Sequence, residues 1–394
     1  MTSHPIQYAA PLYAYLNRHP ELDITVFFCT DISLRGARDP GFGRSVAWDV
    51  DLLAGYTAVF LGERAKTRSK AGFWSLVCPE LAREIKKNRF DVVWIHGQQF
   101  AAYVFAFALA KLRGIPVMTR ADSHMGLVRP WLRREVRNSV LALQYRFIER
   151  FLAVGRANHD YYRALGVPEQ RIFHVPFSVD NERFMRASAL TEAERAEVRA
   201  GMGVFDERPI LLFASKLLPR KHPDDLLHAA AMLKAQGHTF HVAIAGSGVL
   251  SAELQRLAAE LQLGNVSFVG FMNQSQLPRL YAASDVFVLS AENEPWGLIV
   301  NEAMCAGLPV VVGAGMGCVP DLVREGVNGF TCVAGNPKSL AMALGALVGD
   351  AALRRRMGNE SRRLISEWSY EEGLQGILAA VRGLATGAGR GARA

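Results

Sequence analysis

The chain has 394 residues, of which 50% are hydrophobic and 21% charged, and a formal net charge of +8. This length and composition indicate a globular protein of two domains and exclude a disordered chain. The 5 cysteines are scattered without a C-x-x-C pair, which favours reduced thiols in a cytoplasmic protein over a disulfide framework or a zinc knuckle. The longest apolar run, residues 101–110, is far shorter than the roughly 20 residues of a membrane-spanning helix, and no signal peptide is evident.

The positive charge is concentrated in the first half of the chain. The 45 basic and 37 acidic residues divide into 24 and 16 within residues 1–180, and 21 and 21 beyond them. Two interpretations are open: solvated surface arginines, or an anionic partner such as a membrane surface or a phosphate-bearing acceptor. Nucleic acid is disfavoured because no nucleic-acid-binding motif accompanies the basic residues.

Short apolar runs alternate with helical patterns through the first half. Strands are predicted at residues 23–29, 91–95, 115–120 and 150–154, and helices at 74–87, 101–113 and 131–149. Such alternation is typical of a mostly parallel sheet with helices on both faces. The pattern becomes loop-like around residues 175–184, where we place the hinge between two domains.

The second half repeats this arrangement. Predicted strands at 209–214, 240–245, 266–269, 286–289 and 309–312 alternate with helices at 223–236, 251–261, 276–282, 298–306 and 337–348. We therefore expect an α/β protein with one Rossmann-like domain at residues 1–180 and another at 181–370. Residues 371–384 are a predicted helix that could cross back to the first domain, and 385–394 a predicted disordered tail.

The start of the chain departs from the usual doubly wound pattern. Such domains open with a strand that leads into a ligand loop, but residues 1–5 (MTSHP) resemble the loop itself. Either the natural start lies upstream of Met1, or the domain lacks a central strand, which would leave neighbouring strands with unpaired edges.

The strongest functional signal is a pair of glutamates, Glu294 and Glu302, on either side of a Pro-Trp-Gly turn that opens a helix. The amides of Gly297, Leu298 and Ile299 are predicted to point outward, and a helix N-terminus is an anion site. We expect Glu302 to accept hydrogen bonds from a ribose diol beyond the phosphates. The alternative is an amphipathic helix with an acidic first turn.

A second signal lies in the loop after the predicted strand 209–214. Lys216 and Lys221 would stand outside the carboxyl end of that strand, where they could neutralise a diphosphate leaving group. The alternative is a solvated basic loop. Gly246 and Gly248 after the next strand would let backbone approach the ligand, although strand-to-helix turns often contain glycine. The Gly270-Phe271 pair could hold a base, with core packing as an equal alternative.

These features resemble the retaining glycosyltransferases of family 4, which have the GT-B fold of two Rossmann-like domains facing each other across a cleft. The family's Glu-x7-Glu motif falls on Glu294 and Glu302. The resemblance implies that Glu302 holds the donor ribose and that Glu294 lies beside the donor sugar. It covers nearly the whole chain and is more specific in the second half.

The family's Gly-Arg-Leu-x-x-x-Lys-Gly loop falls on residues 215–222. Lys216 replaces its arginine, which keeps the charge but loses the bidentate fork, and Lys221 retains its lysine. Ser215 and His222 replace its glycines. The donor-binding residues implied by the resemblance are Ser215, Gly246, Gly248, Gly270, Phe271, Trp296, Gly297, Leu298, Ile299 and Glu302.

In the first half, residues 3–7 (SHPIQ) and 48–56 resemble a subgroup associated with bacterial surface glycans or glycosylated metabolites. His4, Gln7 and His96 are the expected acceptor-binding residues. Asp122 is the best match to the group that relatives place near the reacting carbon, and His124 is the alternative; either could instead cap the next helix. The predicted catalytic set is Asp122, His124, Glu294, Lys216 and Lys221.

The predicted reaction transfers a hexose-type sugar with retention, and the departing phosphate takes the acceptor proton. The nucleotide sugar is a co-substrate, and no other cofactor is expected. Asp49 and Asp51 spell D-x-D, a metal motif of another glycosyltransferase fold, but the histidines lack ligand spacing and we expect no metal site. The rival functions are a nucleotide-sugar epimerase and a non-catalytic subunit that binds nucleotide sugar or a membrane.

Overall fold

The computed structural model describes residues 1–62, 72–128 and 130–388. The chain divides into two compact units. Unit 1 comprises Met1–Ala37, Asp51–Phe177 and Tyr370–Ala394, and unit 2 comprises Arg38–Val50 and Ser178–Ser369. A short segment of the first half therefore belongs to the unit formed by the second half, and the last helix belongs to unit 1.

Strands and helices alternate along most of the described chain. The strands are β1 (Thr25–Phe28), β2 (Arg38–Asp39), β3 (Arg44–Ser45), β4 (Thr57–Phe60), β5 (Val93–His96), β6 (Val117–Ala121), β7 (Arg150–Ala153), β8 (Ile172–His174), β9 (Ile210–Ala214), β10 (His241–Ala245), β11 (Val266–Gly270), β12 (Val286–Leu289), β13 (Val310–Gly313) and β14 (Gly329–Cys332). The helices are α1 (Ala10–Leu16), α2 (Leu81–Lys87), α3 (Ala101–Leu112), α4 (Trp131–Tyr145), α5 (Arg156–Ala164), α6 (Asn181–Ala187), α7 (Glu192–Gly201), α8 (Pro223–Ala235), α9 (Ser251–Glu260), α10 (Leu277–Ala283), α11 (Leu298–Cys305), α12 (Val319–Leu322), α13 (Pro337–Gly349), α14 (Ala351–Ser366) and α15 (Tyr370–Ala388).

Unit 1 contains two parallel sheets. β1 pairs with β4, and β5, β6, β7 and β8 pair in that order. The predicted helix at 74–87 is wrong in its first half, because only α2 is α-helical and a single 3-10 turn spans Phe73–Ser75. Pro79 explains the break, since the residue before a proline is pushed out of helical backbone. β4 was not predicted from the sequence, because its first residue is exposed and the other three are only partly buried.

The first residues of the chain lie between the two sheets of unit 1. Thr2 forms a parallel bridge with Phe28, and the amide of His96 donates to the carbonyl of Met1 at 3.3 Å. The central strand is thus reduced to a few residues that link β1 to β5. An apolar cavity of about 150 Å³, lined by side chains including Phe27, Trp94 and Ile377, lies beside them.

The C-terminal helix α15 completes one side of unit 1. Leu374, Ile377 and Leu378 pack in one apolar cluster with Leu12 of α1 and Leu152 of β7. The helix continues to Ala388, so the predicted tail begins as helix, and residues 389–394 lie outside the described residues. Burial of this apolar face stabilises unit 1 with residues from the far end of the chain.

Unit 2 has one six-stranded parallel sheet with the order β11-β10-β9-β12-β13-β14. β9, β10, β12 and β13 are buried along their whole length, as expected for strands covered by helices on both faces. β2 and β3 form a small antiparallel hairpin in the segment 38–50 of the same unit. The core of unit 2 therefore lies on both sides of β9 and β12.

Candidate active site

The strand order of unit 2 brings two loops together. β10 and β11 follow β9 on one side of the sheet, whereas β12, β13 and β14 occupy the other side. β9 and β12 are therefore neighbours at a topological switch point, and open α/β sheets bind ligands outside the carboxyl ends of strands at such points. The loop after β9 carries Lys216 and Lys221, and the loop after β12 carries Glu294.

A buried ion pair joins these two loops. Nζ of Lys221 donates to Oε2 of Glu294, and Nη1 of Arg220 donates to the same oxygen at 2.8 Å. The side chains of Lys221 and Glu294 are only 7% and 13% exposed. Burial acts to raise the pKa of the Glu294 carboxyl, but Lys221 and Arg220 together lower that pKa below its usual value. The carboxylate is therefore held ionised between two cations.

The loop after β12 turns into helix α11 at a glycine. Gly297 has a left-handed backbone with φ of 97°, and a Cβ there would lie 2.6 Å from Cε of Met316. The first helical amides, at Leu298 and Ile299, have no carbonyl partner within the helix. The indole N–H of buried Trp296 donates to Oδ1 of Asn301 at 3.0 Å. The side chain of Trp296 therefore fixes the turn that presents these amides.

Glu302 lies inside unit 2. Its side chain is on α11, its exposed fraction is 0%, and its Oε2 accepts a hydrogen bond from the hydroxyl of Tyr281 at 2.8 Å. Tyr281 comes from α10 and is itself fully buried. The second glutamate of the motif thus joins two helices of unit 2, and its contact with a donor ribose stays a prediction.

The glycines after β10 have a packing explanation. A Cβ on Gly246 would lie 2.0 Å from the carbonyl oxygen of Ser215, and one on Gly248 would lie 2.3 Å from that of Leu217. The amide of Ser215 in turn donates to the carbonyl of Ala245 at 3.1 Å. Glycine is thus required because the loops after β9 and β10 touch backbone to backbone.

Phe271, a predicted donor-binding residue, and Lys216, a predicted catalytic residue, both contact the segment 38–50. The ring of Phe271, which follows Gly270 at the end of β11, lies 5.0 Å from the ring of Phe42 in an edge-on contact. Nζ of Lys216 lies 2.9 Å from both carboxylate oxygens of Asp39. Gly270 itself has φ of 79° with open space where a Cβ would stand, so its backbone conformation is the reason for glycine.

Three predicted acceptor residues lie in unit 1. Nδ1 of His4 is 2.7 Å from the hydroxyl of Ser3, and Gln7 lies in the turn before α1. Nε2 of His96 is 2.8 Å from the hydroxyl of Tyr13. Burial is the main reason that the pKa of His96 is well below its usual value, and the adjacent terminal ammonium adds to the effect. His96 is therefore a neutral ring at neutral pH.

Asp122 and His124 follow β6 in unit 1. His124 is buried, and its Nδ1 accepts a hydrogen bond from the amide of Gly126 at 3.2 Å. Arg120, at the end of β6, is also buried and donates to the carbonyl of Pro176 at 2.8 Å. Burial lowers the pKa of Arg120 to about 10, and the nearby Asp122 acts against that shift. Arg120 is a charged neighbour of the predicted catalytic loop.

Sequence reasoning missed four residues of these sites: Arg220, Tyr281, Asp39 and Arg120. Arg220 is adjacent to Lys221, and its position in the same loop was an available signal. Tyr281 and Asp39 lie far along the chain from Glu302 and Lys216, and no local pattern links them. Within the described ranges, no three His, Cys, Asp or Glu side chains form a possible metal cluster.

The two halves of the chain match two family models. Glycosyl transferases group 1 matches residues 194–364, and Glycosyltransferase Family 4 matches residues 36–183. The chain has the GT-B fold, and each of its halves matches the model of a glycosyltransferase family. The crystal structure of Anabaena HepE in complex with UDP and glucose is similar to this chain, with a TM-score of 0.72. The match covers 97% of this chain and 98% of HepE. Because the sequence identity is 18%, this similarity concerns the fold.

Two curated relatives are similar over shorter regions. D-inositol 3-phosphate glycosyltransferase of Geodermatophilus obscurus is 33% identical over 56% of this chain and 48% of its own length. Alpha-D-kanosaminyltransferase of Streptomyces kanamyceticus is 25% identical over 67% of this chain and 69% of its own length. The chain thus spans about half the length of the first relative. No helix among the described residues has the length and apolar character of a membrane span.

Proposed function

We propose that this glycosyltransferase moves a hexose-type sugar from a nucleoside-diphosphate donor to an acceptor hydroxyl, with retention of anomeric configuration. The observation that carries the proposal is the charge arrangement at the switch point. Lys216, Arg220 and Lys221 follow β9, and the N-terminus of α11 follows Glu294 in the neighbouring loop. A departing diphosphate is the anion that such a set of cations and helix amides stabilises best.

The reaction breaks the bond between C1 of the sugar and the diphosphate oxygen, and forms a bond from C1 to the acceptor oxygen. The acceptor proton goes to the departing diphosphate on the same face. Lys221 and Arg220 supply positive charge to that group, so a metal ion is not needed for this role. Glu294, held ionised by the same cations, is positioned to accept hydrogen bonds from sugar hydroxyls.

The residues proposed for acceptor binding are His4, Gln7 and His96 of unit 1, and Asp122, with His124 as its alternative, is proposed as the catalytic group of the same unit. The presence of UDP and glucose in HepE supports a nucleotide-sugar donor for this chain. A curated relative named as a D-inositol 3-phosphate glycosyltransferase supports a small-molecule acceptor, and one named as an alpha-D-kanosaminyltransferase supports transfer of a hexose-type sugar. We propose surface-glycan or glycosylated-metabolite synthesis as the setting.

Stereochemistry tests the proposal without a known acceptor. Purified protein is incubated with UDP-, GDP-, dTDP- and ADP-sugars, and proton NMR records the anomer released to water before mutarotation. The expected product keeps the donor's configuration, and Lys221→Met lowers the rate at least about 100-fold. A released sugar of inverted configuration would refute retention. A donor whose sugar changes stereochemistry while still attached to the nucleotide would establish the epimerase instead.

We also propose that α4 contacts an anionic lipid surface. An exposed apolar stripe runs along this helix and just beyond it, with large side chains at helical spacing that are 58% to 60% exposed: Leu132, Val136, Val140, Leu143 and Phe147. Trp131, at the start of the helix, is 71% exposed. Exposed apolar stripes beside basic side chains are characteristic of interfacial helices, in which Trp favours the headgroup region.

The charge on this helix selects anionic lipid. Arg133 and Arg134 are exposed beside the stripe, and Arg146 follows the helix, while Arg129 lies outside the described residues. Co-sedimentation with vesicles of phosphatidylglycerol and phosphatidylcholine measures the contact. Wild type is expected to pellet with the anionic vesicles at low salt, and the variant with Val136→Ser and Val140→Ser to remain in the supernatant. Equal binding by both proteins would refute the role of the stripe.

A further inference from the structure

Residues 38–50, here called the strap, pack on unit 2 although they come from the first half of the chain. The strap contacts the loops that follow three strands of the large sheet, β9, β10 and β11. The hydroxyl of Ser247, after β10, donates to the carbonyl of Phe42 at 3.0 Å. The side-chain amide of Asn273, after β11, donates to the carbonyl of Ala47 at 2.8 Å.

The strap also binds Lys216, in the loop after β9, through an ion pair with Asp39. Both carboxylate oxygens of Asp39 lie 2.9 Å from Nζ of Lys216. The ammonium also lies 4.5 Å from the centre of the Phe42 ring, within the range of a cation–π contact. The amide of Gly41 donates to Oδ1 of Asp39 at 2.7 Å, which fixes the carboxylate in the hairpin turn.

The same strap surrounds Phe271. Its ring contacts Phe42 and Trp48 at centroid distances of 5.0 and 6.3 Å, and the guanidinium carbon of Arg44 lies 5.0 Å from the ring centroid. The proposed function assigns Lys216 to the donor diphosphate, and Phe271 belongs to the Gly270-Phe271 pair that the sequence offers for the base of the donor. The strap therefore covers that part of the proposed donor site with an anion and aromatic rings.

We infer that Asp39 is an internal competitor of the donor diphosphate: its carboxylate occupies the ammonium of Lys216 until a nucleoside diphosphate displaces the strap. This inference rests on the proposed function, because it assigns Lys216 to the diphosphate. The Asp39–Lys216 pair is displaceable since each side chain is 33% exposed, and ion pairs so open to water contribute little to stability. A diphosphate carries more negative charge than one carboxylate.

Removal of the competing charge tests the inference. Isothermal titration with UDP, GDP, dTDP and ADP identifies the diphosphate that binds wild type, and the same titration is repeated on Asp39→Asn. We expect Asp39→Asn to bind that nucleotide about two- to fivefold more tightly, the range given by an exposed ion pair. Unchanged or weaker binding would overturn the inference.

A matched control separates local competition from net charge. Asp51 lies just beyond the strap, and its Oδ1 accepts hydrogen bonds from the amides of Leu53 and Ala54 at 2.9 and 3.1 Å. Asp51→Asn removes the same charge and keeps an oxygen for these bonds, so its nucleotide affinity should match wild type. If both variants gain affinity equally, the effect is one of overall charge and the competition is refuted.

Hydrogen–deuterium exchange on wild type gives a second, independent readout. Bound nucleotide should increase exchange in peptides that cover residues 38–50, because the strap leaves Lys216, and decrease exchange in peptides that cover 215–222. Slower exchange in the strap would show that it closes over the nucleotide and would overturn the inference. If no nucleoside diphosphate slows exchange in residues 215–222 of wild type, the proposed function fails. If exchange slows there while exchange in the strap stays the same, only the inference about Asp39 is refuted.

Discussion

The buried pair of Lys221 and Glu294 should show strong energetic coupling. Glu294→Gln leaves the ammonium of Lys221 in a site where its side chain is 7% exposed. Loss of one partner from a buried pair costs about 3 to 5 kcal/mol, because the remaining charge is uncompensated. Burial already lowers the pKa of Lys221, and loss of the Glu294 carboxylate, which opposes that shift, favours the neutral amine further.

The reverse variant should be milder. Lys221→Met leaves the Glu294 carboxylate with Arg220, whose Nη1 lies 2.8 Å from it, so we expect about 2 to 3 kcal/mol of destabilisation. The double variant contains no buried lysine or glutamate charge and should return to within about 1 kcal/mol of wild type, as uncharged replacements of buried pairs often do.

Thermal unfolding of the four proteins forms a double-mutant cycle. A loss of about 3 kcal/mol corresponds to a fall in Tm of about 6 to 12 °C for a unit of this size. The expected coupling free energy is at least about 4 kcal/mol, because the single losses sum to at least about 5 kcal/mol and the double variant keeps about 1. Catalytic activity should stay absent in the double variant although its stability returns. Additive losses in the double variant would refute a buried, coupled pair at the switch point.

Three further predictions concern unit 2. Gly246→Ala should lower the free energy of unfolding in urea by at least about 2 kcal/mol, because its Cβ would lie 2.0 Å from the carbonyl oxygen of Ser215. Gly264→Ala is the control and should be neutral, because a Cβ there meets nothing within 4 Å; equal effects of the two variants would contradict the backbone contact. His222 has a left-handed backbone with φ of 46°, which glycine adopts more easily than alanine. His222→Gly should therefore be more stable than His222→Ala by about 1 kcal/mol, and the opposite order in calorimetry would contradict backbone strain at this position. Burial lowers the pKa of His241 from 6.5 to about 4, so the stability that depends on its neutral form is complete above pH 6.5 and is lost as the pH falls toward 4. In His241→Gln the Tm should therefore depend less on pH between 6.5 and 4, and a pH dependence equal to that of wild type would contradict this.

The sheet of unit 2 was largely predictable because its strands are buried on both faces. Such strands form continuous apolar runs, as in residues 210–214 (ILLFA), and all five predicted strands of this half are present within a few residues. β14 was missed because residues 329–332 (GFTC) begin with glycine and are only partly apolar. The switch point was not predicted, because the strand order that makes β9 and β12 neighbours is seen only in the structure.

Long-range contacts were not predictable from local pattern. The contact of Asp39 with Lys216 spans 177 residues, and the hairpin that makes it has two short strands with no hydrophobic alternation. The reduced central strand of unit 1 was recognised as an irregularity, but the sequence did not show that Thr2 would bridge to Phe28. Such contacts depend on tertiary packing, which periodicity does not encode.

The most direct test of the account is donor-induced thermal stabilisation. Wild type and Glu302→Gln are melted with UDP-, GDP-, dTDP- and ADP-sugars at about 100 times the dissociation constant, where binding contributes about 2.7 kcal/mol. We expect one base class to raise the Tm of wild type by about 5 to 10 °C and to leave that of the folded Glu302→Gln unchanged. Stabilisation of neither protein, or of both equally, would contradict a donor site at the switch point of unit 2.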